Sequence, residues 1–231
     1  MNSKISWSRP ILSYSKVQTL VGRVIRNRKF QFQWKHSRLN SLKYLDVGCG
    51  PNTHENFINL DFLWHPNIDV CWDITRGLPF ADASIRGIFT EHCLEHFPLP
   101  VVWAIMCELR RILSPGGVIR VVVPDGGLYL RIYGQQTEGG GGEKFPYQDG
   151  ESFNGIQSPI LSVNRIFYQD RESLFGHRFI YDAHFLGQLL GRCGFDWVKE
   201  RKFREGLNPD LLIDAETRKC ESLYMEAGLH A

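Results

Sequence analysis

KYLDVGCGPN, residues 43–52, is a short strand-forming run that breaks into two glycines separated by one residue. Glycines directly after an apolar strand let the backbone approach a ligand closely, and ligands of open α/β sheets sit at the carboxyl ends of the strands. Taken alone, a GxG step is a weak signal. Downstream, FINLD (57–61), IDVCWD (68–73), SIRGIFT (84–90) and GVIRVVVP (117–124) are also short apolar runs ending in polar or turn residues, and read as buried parallel strands. Between the last two runs, PVVWAIMCELRRILSPGG (100–117) has helical apolar spacing, a proline start and a Pro-Gly-Gly stop. Strands alternating with helices predict an α/β fold, a doubly wound, Rossmann-like sheet, mostly parallel. YDAHFLGQLLGRCG (181–194) reads as a helix with Asp182 as its N-cap. FDWVKERKF and ESLYMEAG read as later strands that supply an antiparallel edge.

Each early strand carries an acid at or near its end. Asp46 lies within the first run, Asp61 closes the second and Asp73 closes the third. An acid after the second strand can accept both hydroxyls of a ribose, and one after the third can accept an adenine amino group. Singly, such an acid is as readily a solvated loop residue or a helix N-cap. Together with the glycine turn, the three describe an adenosine-shaped site.

LDVGCGPN, NLDF, WDITRGLPFADASIRGIFTEHCLEHF and ELRRILSPGGVIRVVVPD together resemble the class I S-adenosylmethionine (SAM) dependent methyltransferases, in particular the type 11 group. The resemblance runs from about Lys43 to Leu130, and more loosely to the ESLYMEAG strand. It implies SAM as cofactor, with Asp46, Gly48 and Gly50 on the methionine side, Asp61 at the ribose, Asp73 with Ile74 at the adenine, and Glu91 as the floor after strand four. Two departures stand out. Asp61 follows Gly50 by only eleven positions, too few for the usual first helix, and Gly87 occupies a position where the family commonly has an acid. The shortened loop is similar to that of a subgroup of methyltransferases associated with surface polysaccharide gene clusters. An NAD-linked oxidoreductase is the nearest rival, but no third glycine completes GxGxxG.

HCLEH (92–96) literally matches the HxxEH zinc-protease pattern. It follows a strand, precedes Pro98 and Pro100, and sits where the family has its LEH element, so no metal is assigned to it. Methyl transfer depends on positioning, and a base matters when the acceptor is a hydroxyl or an amine. His96 and His177 are the candidate catalytic bases, although a lone histidine more often packs or hydrogen-bonds. Asp125, Tyr129, Tyr133 and Tyr181 are candidates for the acceptor side. The expected acceptor is a small molecule or glycan precursor, methylated on oxygen or nitrogen. The competing reading is a non-catalytic SAM-fold subunit recruited through its basic N-terminal arm.

The chain has 231 residues, 43% apolar and 13% aromatic, and a net charge of +2. Residues 1–45 hold ten Lys or Arg and no acid, leaving 17 basic against 25 acidic residues, or −8, in the rest. Residues 1–42 are therefore read as a basic arm whose Ile11–Phe30 stretch forms an amphipathic helix, and residues 43–231 as the methyltransferase domain. The arm could lie on anionic lipid, bind a partner or cap its own domain. It is expected to be separable from cofactor binding. An acidic body disfavours nucleic acid as substrate. No apolar stretch approaches the ~20 residues that span a bilayer, and six cysteines without a CxxC pair fit a reducing cytoplasm. Residues 134–160, with Gly139–Gly142 in a row, read as a long glycine-rich mobile loop that helps enclose the acceptor.

Overall fold

A computed structural model describes residues 16–28, 41–138, 142–146, 152–168 and 176–231. The chain begins there with a ten-residue helix, α1 (Lys16–Ile25), and then lays down β1 (Tyr44–Val47), β2 (Phe57–Asp61), β3 (Val70–Cys71) and β4 (Ile85–Glu91). The remaining elements are α2 (Leu99–Ile112), β5 (Leu113–Pro124), α3 (Gly126–Thr137), a hairpin of β6 (Ser152–Phe153) and β7 (Ile156–Gln157), α4 (Pro159–Tyr168), α5 (Ala183–Arg192), β8 (Trp197–Arg201) and β9 (Ser222–Gly228).

Seven strands form one sheet in the order β3-β2-β1-β4-β5-β9-β8. The first five pair in parallel, and β9 runs antiparallel to both β5 and β8, closing one side of the sheet. The doubly wound reading therefore holds. The third strand is shorter than IDVCWD suggested, because Trp72 and Asp73 leave the ladder to start a 3-10 turn at Ile74–Arg76. Residues 134–160 are not one loop: α3 continues to Thr137, β6 and β7 pair, and α4 starts at Pro159. Gly139 to Gly141 lie outside the described residues, as do the arm's residues 1–15 and 29–40.

Side chains alternate across the pleat, so neighbouring positions feed opposite faces. Ile119, Val121 and Val123 of β5 join Leu45, Ile88 and Met225 in the main core. That face is covered by α2, which buries Val102, Ile105, Met106, Leu109 and Ile112 at three- and four-residue steps, and by Leu186, Leu189 and Leu190 of α5. Asp182 caps α5 as expected, accepting a 2.7 Å hydrogen bond from the Phe185 amide.

The opposite face carries Phe57, Phe89, Val118, Val122 and Tyr224, covered by Phe203, Leu211 and Ile213 from the irregular segment between β8 and β9. No helix separates β1 from β2: Pro51–Asn56 is a turn-and-coil connection. Gly87 now has a reason. A Cβ there would stand 2.5 Å from Tyr44 Cδ1 and 3.1 Å from Leu211 Cδ2, so the position is kept bare by packing. On the same face Arg120, fully buried, donates to both carboxylate oxygens of Asp214 at 2.6 Å and to the Glu205 and Lys202 carbonyls, which pins the covering segment to the sheet.

Candidate active site

The parallel strands end at a crevice of about 360 Å³. Six of the residues anticipated from sequence line it: Gly48, Gly50, Asp61, Asp73, Ile74 and His96. Gly48 and Gly50 both have left-handed backbones, at φ +75° and +54°. Their surroundings differ. A Cβ on Gly48 would stand 2.6 Å from Cys93 Sγ, whereas one on Gly50 would meet nothing within 4 Å and would project into open space. Gly48 thus serves close packing of the turn, and Gly50 leaves a cradle.

Asp61 is built into that cradle. One carboxylate oxygen accepts the Gly50 amide at 2.9 Å and the other the Leu63 amide at 2.7 Å. Burial pushes its pKa up, against the pull of these amide hydrogen bonds. Asp73 caps the following 3-10 turn, taking the Thr75 amide at 3.1 Å and its hydroxyl at 2.6 Å. Phe62, Leu63, Trp72 and Ile74 complete an apolar wall.

The tail of α1 closes the outer side of this wall. Arg26 stacks its guanidinium 3.5 Å from the Phe62 ring centroid and donates to the Phe62 carbonyl at 2.8 Å. Asn27 donates its amide to the Cys71 carbonyl at 3.2 Å, and its side-chain oxygen accepts the Asp73 amide at 2.9 Å. The described part of the basic arm is consequently attached to the crevice wall, which revises the expectation that the arm is separable.

At the other end, β4 hands the chain to His92, whose backbone is left-handed at φ +49°, and then to a 3-10 turn at Leu94–His96. The Glu95 carbonyl accepts the amides of Arg178 at 2.7 Å and Phe179 at 3.2 Å, so residues 176–180 run alongside the turn. This places His177 against His96, with ring centroids 5.3 Å apart. The Glu95 side chain is fully buried, neither of its carboxylate oxygens has a hydrogen-bond partner among the described residues, and burial lifts its pKa to about 8. Burial also lowers the pKa of His92 and His177, which keeps those imidazoles neutral.

The other sequence-named residues have different surroundings. Asp46 is buried within β1, and burial followed by the nearby Glu91 and Asp61 raises its pKa well above the usual range. Glu91 turns to the β8–β9 segment and accepts the Ala215 amide at 3.0 Å. Asp125 caps α3 by accepting the Leu128 amide at 3.1 Å. Tyr129 is buried beside Phe145, with Tyr133 at the edge of the same cluster. Tyr181 is buried against Phe179, its hydroxyl donating to the Leu94 carbonyl at 3.5 Å. None of these six lines the crevice. Phe62, Leu63, His92, Cys93 and Phe97 also line it without a role having been assigned to them from sequence, although all but Leu63 lie within the motifs quoted above.

The family described as methyltransferase domain matches residues 45–121, the stretch from β1 into β5 that contains the glycine turn, Asp61, Asp73 and the HCLEH turn. That stretch, about a third of the chain, is similar to a methyltransferase domain. Comparison with curated proteins finds no match. Among solved structures, a SAM-dependent methyltransferase from Archaeoglobus fulgidus is similar at 15% identity and a TM-score of 0.48, over 89% of this chain and 93% of that one. One from Mesorhizobium loti is similar at 16% identity and a TM-score of 0.47, over 84% and 96%. A third is the 1,6-didemethyltoxoflavin-N1-methyltransferase of Burkholderia thailandensis with bound S-adenosylhomocysteine, at 13% identity and a TM-score of 0.46, over 88% and 78%.

Proposed function

We propose that this chain binds SAM in the crevice and transfers its methyl group to the oxygen or nitrogen of a small-molecule or glycan-precursor acceptor. The observation that carries the reading is the convergence of Gly50, Asp61 and Asp73 from three strand ends on one crevice with an apolar wall. Gly50 passes the test of fit: a side chain there would occupy the cradle and nothing else. Asp61 would accept the ribose hydroxyls, with its orientation already set by the two amides. The backbone around Asp73 and the side chains of Ile74, Phe62 and Leu63 would receive the adenine. Asp46 would act from beneath the glycine turn through its charge, and Glu91 by fixing the segment that covers the sheet.

When bound, the cofactor would supply a methyl group carried on a sulfonium, for displacement from sulfur by the acceptor atom. What the protein adds is alignment of the acceptor and a route for its proton. His96, at the crevice wall with Glu95 and His177 behind it, is the proton-handling end. Asp125, Tyr133 and the α3–α4 region would border the acceptor. No helix among the described residues is long and apolar enough to cross a membrane, and we place the reaction in the cytoplasm.

Calorimetric titration with SAM and with S-adenosylhomocysteine, run on the native chain and on Asp61→Ala, tests the reading. Binding that falls at least tenfold in the variant supports it. Absence of binding by either ligand to the native chain, with NAD binding instead, overturns it.

A further inference from the structure

We propose that Glu95, His96 and His177 hold a divalent transition-metal ion at the acceptor end of the crevice. Three independent features point there. First, each of these side chains offers a ligand atom, and the three atoms lie within 4.8 Å of one another. An ion with bonds of about 2.1 Å draws its ligand atoms to roughly 3.4 Å apart, so side-chain rotation of about an ångström closes the set. Second, the Glu95 carboxylate is fully buried and neither oxygen has a hydrogen-bond partner among the described residues. A carboxylate in that position needs a compensating positive charge or a proton. The imidazoles beside it are His92 Nδ1 at 3.5 Å and His96 Nε2 at 3.8 Å.

Third, the tautomer of His177 is fixed in the form that ligates. Its Nδ1 is hydrogen-bonded to the Ile166 carbonyl, which can only accept, so Nδ1 carries the proton and Nε2 keeps its lone pair. A metal-binding imidazole almost always donates its other N–H to a carbonyl or carboxylate. The backbone holds the group together as well, since the Glu95 carbonyl ties down the segment bearing His177 through the amides of Arg178 and Phe179.

Two imidazoles and one carboxylate suit zinc, manganese or ferrous iron, whereas magnesium and calcium prefer all-oxygen sets. Three protein ligands leave a coordination position open, the pattern of catalytic sites, and His96 lines the crevice. The inference rests on the reading above and changes one role in it: with the ion bound, His96 is a ligand rather than a base, and an acceptor hydroxyl placed at the open position would be made more acidic by the ion.

The test is titration of the chelator-treated full chain with Zn²⁺, Mg²⁺ and Co²⁺, alongside Glu95→Gln and His177→Gln. The expected result is one Zn²⁺ per chain, no Mg²⁺, and a loss of more than about 100-fold in either variant, beyond what removal of a merely supporting group costs. Bound Co²⁺ should give visible d–d bands without the ultraviolet charge-transfer absorption that a thiolate ligand produces, which separates this site from the six free cysteines. Zinc binding unchanged in both variants, a thiolate spectrum, or no binding overturns the proposal. If Glu95→Gln does not fold, judged by circular dichroism, His177→Gln decides. SAM titration of the same samples keeps the two readings apart: SAM binding without metal overturns only this one, and metal binding without SAM overturns only the cofactor assignment.

Discussion

At the scale of single residues, the two glycines of one turn have separate duties that substitution can pull apart. Both sit in the left-handed region, where an L side chain costs roughly 1–2 kcal/mol. Gly50→Ala adds little beyond that strain, because its Cβ meets nothing. It is expected to lower Tm by only a few degrees and to weaken SAM binding more than tenfold in calorimetry. Gly48→Ala drives a methyl into Cys93 and is expected to lower Tm by clearly more than Gly50→Ala in the same thermal scan. Asp61 supplies a second contrast. Because burial raises its pKa above the ordinary aspartate value, the carboxylate takes up a proton at a pH where an exposed aspartate would stay charged. SAM affinity should therefore fall on acidification before pH 3.8 is reached, and the step should be missing from Asp61→Asn. Titrations at successive pH values, within the range where circular dichroism stays native, check this.

At the scale of elements, α1 is attached to the cofactor wall by Arg26 and Asn27 rather than lying apart from it. Truncation of residues 1–28 is expected to reduce SAM affinity about tenfold while the sheet stays folded, with Arg26→Ala giving a smaller loss of the same kind. Unchanged affinity would restore the view of a separable arm. The sequence made β1, β2, β4, α2 and α5 legible because their apolar periodicity answers to burial, a local and repetitive demand. It also located Gly50, Asp61 and Asp73, whose roles depend on standing at strand ends. Docking of α1 could not be read in this way. Arg26 and Asn27 act on residues 36 and 46 positions away, and a basic residue that stacks on Phe62 looks in sequence like one that faces water. Tyr129 and Tyr181 were misleading for the converse reason, since a tyrosine near a strand end can pack inward as easily as face a ligand.

For the molecule as a whole, the face left without a helix between β1 and β2 is organised around a buried charge. Arg120 meets Asp214 at 2.6 Å and Glu226 at 3.6 Å, all of them inaccessible to solvent. Arg120→Met removes the buried cation that those two acids share and is expected to cost about 3–5 kcal/mol, read as a shift in the denaturation midpoint. The order of the strands carries one further implication. β9 is made after β8 yet is seated inside it, against β5. While the chain is being synthesised, then, β5 stands with a bare hydrogen-bonding edge and β8 has nothing to join, until residues 222–228 have left the ribosome. Exposed edges invite pairing with other chains, so this protein must pass its most aggregation-prone moment late in synthesis. A nascent chain halted before Ser222 should be the species that chaperones hold.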